Sequence, residues 1–196
     1  METRTAVTSR PLPLTIKLNE IRAYAVIAVF TALSVLTPWA FHQFHLAGAT
    51  FLPMHFFIFI AALAAGWQAG LIVGLLTPLA SYAVSGMPAL TVLPQIVVEV
   101  AFYGLLAGLL RQKLHLSVIW SLFGAMAGGR LALLAAVSVI QLITGNVYSP
   151  LGPAATPFSA VWYTVAQSWP GMLAQLVLIP LGFWLYARFS RRKRTT

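Results

Sequence analysis

The sequence predicts an all-α integral membrane protein, a bundle of six transmembrane helices with both termini in the cytoplasm. Hydrophobic residues make up 60% of the chain, charged residues only 8%, and the mean hydropathy is +0.87. A soluble domain has about 25% charged residues. Between residues 23 and 187 the charged residues are Glu99, Arg111, Lys113 and Arg130. Because a helix in water needs polar residues on its outer face, lipid must surround this chain.

The distribution of the cations predicts the topology. Of the twelve Lys and Arg residues, all but Arg130 lie in three clusters: within the first 22 residues, at Arg111 and Lys113, and after Ala187. Cytoplasmic loops of membrane proteins are rich in Lys and Arg, so the three clusters belong on the cytoplasmic side. The net charge of +9 therefore indicates topology and contact with anionic membrane lipid, and no nucleic-acid partner.

Six apolar runs are candidates for crossing a hydrocarbon core, which takes about 20 helical residues. In order they cover residues 19–38, 51–66, 68–84, 92–111, 116–144 and 158–188. The second and third are short, and only Gly66-Trp67-Gln68 separates them. The connectors at 39–50, 85–88 and 144–157 are rich in turn-forming residues and contain no Lys or Arg, so we expect all three outside.

The first apolar run is interpreted as a retained helix. It is long for a signal peptide, and Thr37-Pro38-Trp39-Ala40 is a poor cleavage site. No internal repeat is evident. We therefore predict a cytoplasmic tail at 1–18, one transmembrane domain at 19–188 and a basic cytoplasmic tail at 189–196.

Two ionisable residues lie inside predicted spans, where charge is costly and usually functional. Glu99 lies in the fourth span, about 10 Å from its outer end at 1.5 Å per residue, and Arg130 lies near the middle of the fifth. A short connector makes these spans antiparallel neighbours, so the two side chains can meet. They form either a structural ion pair or a contact with a polar substrate in a cavity open to the outside, and the two interpretations are compatible.

Polar residues at helical spacing favour such a cavity. Gln95, Glu99 and Tyr103 recur every four residues, Arg130 and Gln141 share a face of the fifth span, and the sixth span carries a similar stripe. Asn146 follows the fifth span at the expected mouth of the pocket, and Trp162 and Trp169 can form an aromatic wall. The predicted substrate-binding residues are Gln95, Glu99, Tyr103, Arg130, Gln141, Asn146, Trp162, Tyr163 and Gln167, and the stripe of the sixth span also includes Gly171 and Gln175.

The sequence contains few residues of the types that catalyse reactions or bind metals. It contains no Cys, and one Glu within the spans leaves no carboxylate pair. His42, His45 and His55 have no accompanying carboxylate, so we expect no metal site. A self-sufficient secondary transporter of a small polar metabolite remains the alternative. Such carriers commonly show inverted repeats or broken helices, and Pro78 and Pro170 could break helices here.

Several short strings, in this order and spacing, resemble the substrate-binding S components of energy-coupling factor (ECF) vitamin transporters, over about residues 23–186. The strings are Leu52-Pro53-Met54-His55, Gly74-Leu75-Leu76-Thr77-Pro78, Ser85-Gly86-Met87-Pro88, the segment Glu99 to Leu110, Gly129-Arg130, and the segment Pro170 to Pro180. Ala28 and Ala32 match the Ala-x-x-x-Ala motif with which this family packs on its coupling subunit.

The resemblance implies a six-helix protein of the prokaryotic plasma membrane that binds a vitamin or related micronutrient near the outer surface. It implies a transmembrane coupling subunit and two ATP-hydrolysing subunits as partners, with delivery of the substrate by toppling of the S component. We expect no cofactor in this chain, which has no phosphate-binding Gly-x-x-x-x-Gly-Lys motif. A free Arg130 would favour a carboxylate-bearing vitamin and a free Glu99 a cationic one, whereas pairing would remove both preferences.

Overall fold

The computed structural model describes residues 20–43, 48–151 and 154–192, and within these ranges helices and their connectors make up the whole fold. The helices are α1 (Ile21–Gln43), α2 (Gly48–Phe51), α3 (Pro53–Ala65), α4 (Trp67–Ser85), α5 (Leu93–Gln112), α6 (Val118–Thr144) and α7 (Pro157–Arg192). Apart from α3 and the single turn α2, all are long and apolar enough to cross a membrane. The predicted all-helical architecture of six main helices is confirmed. The tail at 1–18 and residues 193–196 lie outside the described ranges.

Three predicted helix boundaries are wrong. The first helix was expected to end at Pro38, but α1 continues through this proline to Gln43, and α2 occupies part of the expected loop. The second begins at Pro53 instead of Phe51. The sixth continues beyond residue 188 to Arg192. Proline is tolerated within membrane helices because neighbouring side chains and local adjustments satisfy the backbone groups that it frees. A proline is therefore a weaker stop signal here than in a soluble helix.

Close contact between α4 and α5 is built on glycine. A Cβ atom added to Gly70 would lie 2.5 Å from the carbonyl oxygen of Gly104, and one added to Gly74 would lie 2.6 Å from that of Val100. Gly108 likewise faces the backbone of Trp67. Small residues at four-residue spacing let two backbones approach, and this packing is a main source of helix association in lipid.

The apolar core lies among α1, α3, α4, α5 and α6, and α7 packs against its side. Completely buried side chains from four of these helices meet at its centre: Ile58, Phe59, Leu63, Val73, Val100 and Leu122. Ile179 is the residue that α7 buries deepest in this core. A smaller cluster of Leu133, Val137 and Ala160 joins the facing ends of α6 and α7. Much of α7 is consequently left exposed at the side of the bundle.

Candidate functional site

A buried ion pair joins α5 to α6. Nη1 of Arg130 lies 2.6 Å from Oε1 of Glu99, and the side chains are 8% and 2% exposed. Gly129 on α6 allows this approach, since a Cβ added to it would collide with the ring of Tyr103 on α5. The two charges that the sequence places in neighbouring spans are thus in direct contact and neutralise each other.

Two further side chains form hydrogen bonds with this pair. The hydroxyl of Tyr103 donates to Oε1 of Glu99 over 2.8 Å. On α7, Oγ of Ser168 accepts a hydrogen bond from Nη2 of Arg130 over 2.6 Å and donates to the carbonyl of Thr164 over 2.7 Å. The resulting four-residue network of Glu99, Tyr103, Arg130 and Ser168, which we call the polar cluster, connects α5, α6 and α7.

Several buried polar atoms lack a partner within the described residues. Nε of Arg130 belongs to the polar cluster itself, and Oε1 of Gln95 and Nδ1 of His55 belong to its neighbours. The others are Oε1 of Gln175, Oγ1 of Thr31, Oγ of Ser34 and Oγ of Ser121. Gln95 uses its other group to donate to the carbonyl of Tyr148, over 3.0 Å, in the connector between α6 and α7. The ring of His55 packs edge-on against Tyr103 with centroids 5.2 Å apart. Unpaired buried donors and acceptors are expensive, and they are common where a ligand supplies the missing partner.

The polar stripe of α7 has a different environment from the one predicted for it. Nε2 of Gln167 donates to Oγ1 of Thr50 over 3.0 Å, and Nε2 of Gln175 donates to the carbonyl of Leu52 over 3.0 Å. Between them, Gly171 packs directly against the backbone of residues 50 and 51. The stripe therefore holds the segment 50–52 against α7. It does not line the polar cluster, whose contact with α7 comes from Ser168.

Besides Gln167, four predicted site residues lie away from the polar cluster. Trp162 and Tyr163 are 58% and 51% exposed near the beginning of α7. The side chain of Asn146 donates to the carbonyl of Thr144, a local bond within the turn after α6. Gln141 is only half-buried, one helical turn from the end of α6. Trp162 and Tyr163 thus lie on the exposed face of α7, whereas Ala160 in the same part of the helix packs against α6.

Two residues of the site, Ser168 and His55, are absent from the sequence-based prediction. Ser168 follows Thr164 by four residues, so a polar pair on one face of α7 was the available signal. His55 was considered only as a metal ligand. The side chain of His42 and all of His45 lie outside the described residues, and within the described part no group of three metal-binding side chains comes together.

A cavity of about 520 Å³ lies between α6 and α7 and reaches Arg130. Its remaining lining is apolar and includes Phe123, Met126, Trp169, Met172 and Leu176. Its size is that of a small-molecule site, for which volumes of about 300–1,000 Å³ are usual. The surface that the cavity exposes is apolar, and the terminal nitrogens of Arg130 are directed into the polar cluster, where they bind Glu99 and Ser168.

A comparison with protein-family models supports this interpretation. The model for the ECF transporter substrate-specific component matches residues 22–183, a range that contains the polar cluster and most of the seven helices. No curated protein and no solved structure matches the chain.

The family match also defines what kind of molecule this is. Substrate-specific components are membrane-embedded transporter subunits, not enzymes; they bind substrate without a cofactor, and partner ATPases hydrolyse ATP. The all-helical fold, the long apolar helices and the polar cluster within them agree with that role. Since the match spans well over half of the sequence, this chain belongs to the family of ECF transporter substrate-specific components.

Proposed function

We propose that this protein captures a water-soluble vitamin or related micronutrient from outside a prokaryotic plasma membrane and delivers it through an ATP-driven coupling module. In this proposal the module consists of a transmembrane coupling subunit and two ATPase subunits, and both termini of the chain are cytoplasmic. The absence of Lys and Arg from the three connectors at 39–50, 85–88 and 144–157 supports this orientation.

The observation that carries the proposal is the polar cluster with its unpartnered neighbours. Glu99 and Arg130 are buried within helices long enough to span lipid, where each charge is expensive. Helix packing alone does not explain why polar atoms of Gln95 and Arg130 are buried beside that pair without hydrogen-bond partners. We therefore place the substrate site at the polar cluster, with Gln95 on α5, and we assign His55 and Gln175 to its border.

The segment 50–52 closes one side of this proposed site. It is joined to α7 by Gln167 and Gln175, and His55 on the following helix contacts Tyr103 of the cluster. Trp162, Tyr163, Gln141 and Asn146 are left at the surface around it. We propose that these four residues contribute at most to the first encounter with substrate.

The direct test is a thermal-shift screen of the purified full-length protein against a panel of water-soluble vitamins. A ligand at about 100 times its dissociation constant adds about 2.7 kcal/mol to the free energy of unfolding. The hits are then tested for uptake into vesicles that contain this chain and the coupling module. We expect uptake only with ATPase subunits able to hydrolyse ATP. Equal uptake by this chain alone would contradict the proposal and support the self-sufficient carrier.

A further inference from the structure

A second groove lies between α3 and α7, and none of its lining residues belongs to the polar cluster. We propose that this groove holds an acyl chain of one anionic phospholipid from the cytoplasmic leaflet, and that the headgroup of this lipid binds the cations at the end of α7. The lipid site is separate from the proposed vitamin site. It requires only that the end of α7 is cytoplasmic, as proposed above.

The lining of the groove suits a hydrocarbon chain. It combines small residues with aromatic rings and has a volume of about 310 Å³; the lining residues are Phe56, Ile60 and Ala64 on α3 and Leu178, Ile179, Gly182, Phe183 and Tyr186 on α7. None of them is charged, and the hydroxyl of Tyr186 is the one polar side-chain group among them. A Cβ atom added to Gly182 would have no neighbour within 4 Å, so the glycine leaves open space beside α7.

The groove lies in the cytoplasmic half of the proposed orientation. Both α3 and α7 follow an outer connector, so both run inward. The lining extends from Phe56 to Ala64 and from Leu178 to Tyr186, about 12 Å along each helix at 1.5 Å per residue. Ala64 is the last residue but one of α3. A length of about 12 Å is most of one half of a core about 30 Å thick, which is where acyl chains of the cytoplasmic leaflet lie.

The end of α7 continues past the groove toward the headgroups. With 36 residues α7 is about 54 Å long, well beyond the thickness of the core. From Leu181 to Ser190 none of its residues is buried within the described part of the chain. Trp184 and Tyr186 are more than half exposed in this stretch, and such residues are typical of the level of the lipid headgroups.

The charge that follows the groove selects the headgroup. Arg188 lies only about 3 Å along the helix beyond Tyr186, and its guanidinium is 5.3 Å from the ring centre of Trp184. No Asp or Glu occurs after Glu99, whereas the sequence after Ala187 contains Arg188, Arg191, Arg192, Lys193 and Arg194. Arginine forms strong, charge-assisted hydrogen bonds with phosphate oxygens. A zwitterionic headgroup carries its own cation, which offsets this attraction, so an anionic phospholipid is the better partner.

A helix of a partner protein fits this face less well than a lipid chain. Helices associate in lipid where small residues let two backbones approach closely. Here the small residues Ala64 and Gly182 share the lining with Phe56, Phe183 and Tyr186. These three rings hold a helix backbone away from the groove, whereas a flexible hydrocarbon chain passes between them.

The test uses the full-length protein, stripped of lipid in detergent, and measures bound phospholipid by native mass spectrometry. The probes are phosphatidylglycerol and phosphatidylcholine with identical acyl chains. We expect one phosphatidylglycerol per chain, bound at least about tenfold more tightly than phosphatidylcholine, because juxtamembrane cations attract anionic lipid.

Two variants test the groove. Gly182→Leu adds a side chain where the groove is open and should weaken binding of phosphatidylglycerol at least about tenfold, because it excludes the acyl chain from apolar surface. Ala64→Leu fills the same groove from α3 and should have the same effect, which keeps the test decisive in case Gly182→Leu does not fold. Ala135→Leu adds a similar apolar group on an exposed face of α6 and should leave the binding unchanged.

A matched pair of variants tests the charge. Replacing four cations at the end of α7 (Arg188→Gln/Arg191→Gln/Arg192→Gln/Lys193→Gln) should abolish the preference for phosphatidylglycerol. Replacing four N-terminal cations (Arg4→Gln/Arg10→Gln/Lys17→Gln/Arg22→Gln) removes the same charge and should preserve it. Loss of the preference in both variants would show that it comes from the net charge of the chain, which overturns the inference.

Two further outcomes also overturn the inference. One is equal binding of the two phospholipids, or binding that neither groove variant weakens. The other is a pair of groove variants that retain the lipid but lose the coupling subunit, which would make the groove a docking site for a partner helix. All of these variants leave the polar cluster intact and should bind vitamin with unchanged affinity, so the proposed function is tested separately by uptake.

Discussion

At the scale of single residues, the Glu99–Arg130 pair dominates the energetics of the site. Removing two charges from water costs several kcal/mol per ion, and their attraction offsets this cost only when the remaining hydrogen bonds are made. Tyr103 and Ser168 make two of those bonds here, and Nε of Arg130 has no partner within the described residues. The pair is consequently sensitive to the loss of one partner and much less sensitive to the loss of both.

A double-mutant cycle should show this asymmetry. Glu99→Gln or Arg130→Met alone should lower the free energy of unfolding by about 3–5 kcal/mol, because each leaves one buried charge unpaired. The double variant should recover most of that stability. The stability of the three variants is measured by thermal unfolding in the same detergent. Glu20→Gln, which replaces an exposed carboxylate, is the control. Strictly additive losses would show that the two residues are not coupled.

The contribution of Ser168 to stability can be compared with that of Ser138, a second serine that makes the same kind of local hydrogen bond. Ser168→Ala should cost about 1.5–3 kcal/mol, the value of a hydrogen bond to a charged group, because Nη2 of Arg130 then lacks its acceptor. Ser138 also donates to the carbonyl four residues earlier, over 2.8 Å, but within the described residues it makes no hydrogen bond to a charged group. Ser138→Ala should therefore change thermal stability little. Equal effects of the two substitutions would argue against a role for Ser168 in holding Arg130.

At the scale of helices, glycine spacing decides which backbones can touch. Gly70 and Gly74 on α4 face α5, where Gly104 and Gly108 provide the matching small residues. This contact holds α5 in place, and α5 carries Gln95, Glu99 and Tyr103. The geometry of the site thus depends on residues that contact neither charge.

A side chain at position 104 should disrupt this contact. A Cβ there would collide with the backbone of Gly70, so Gly104→Leu should separate α4 from α5. Overpacking typically costs about 1–3 kcal/mol, and a backbone collision should reach or exceed the upper end. Gly182→Ala is the control, since nothing lies within 4 Å of its added Cβ. Thermal unfolding and size-exclusion profiles measure both variants; a monodisperse Gly104→Leu of normal stability would contradict the packing argument.

At the scale of the whole molecule, α1 presents an exposed face. Ala28 and Ala32 are exposed, one turn apart, on the face of α1 that points away from the core. Small residues on an exposed membrane helix allow another helix to approach closely. Because the family works with an ECF module, this face is our candidate for the coupling-subunit interface.

Bulky residues on that face should prevent assembly without affecting the site. Ala28→Trp/Ala32→Trp should abolish co-purification with the coupling subunit and leave vitamin affinity unchanged, because the added rings hold the two helices apart. Leu131→Trp/Ala135→Trp places the same rings on an exposed face of α6 at the same spacing and should assemble normally. If the α1 variant still assembles with the coupling subunit, the interface must lie elsewhere on the bundle.

Cysteine labelling tests the orientation. The chain contains no Cys, so single cysteines can be introduced at Ser149, between α6 and α7, and at Ser117, between α5 and α6. An impermeant thiol reagent should label Ser149→Cys in intact cells and label Ser117→Cys only after the membrane is opened. The reverse pattern would place the connector at 144–157 in the cytoplasm and refute the proposed direction of capture.

The sequence by itself determined the class of the molecule, its helices and the residue types at its centre. In lipid each span must be a long apolar helix, so the spans can be recognised in the sequence. A charged residue within a span is rare and can be recognised for the same reason. Glu99, Arg130 and the stripe of Gln95 and Tyr103 could therefore be identified from their positions alone. Pro38 misled the predicted end of the first helix, because in lipid a proline does not end a helix as it does in water.

Only the tertiary structure decided which of these residues meet. Whether Glu99 pairs with Arg130, and whether α7 contributes Ser168 or Gln167 to that pair, depends on the rotation and offset of packed helices. Spacing along one helix gives the members of a face but not the direction in which that face points. The cavity at Arg130 exists only between two helices, so no local pattern encodes it. Its apolar lining comes from the facing sides of α6 and α7, which long-range packing brings together.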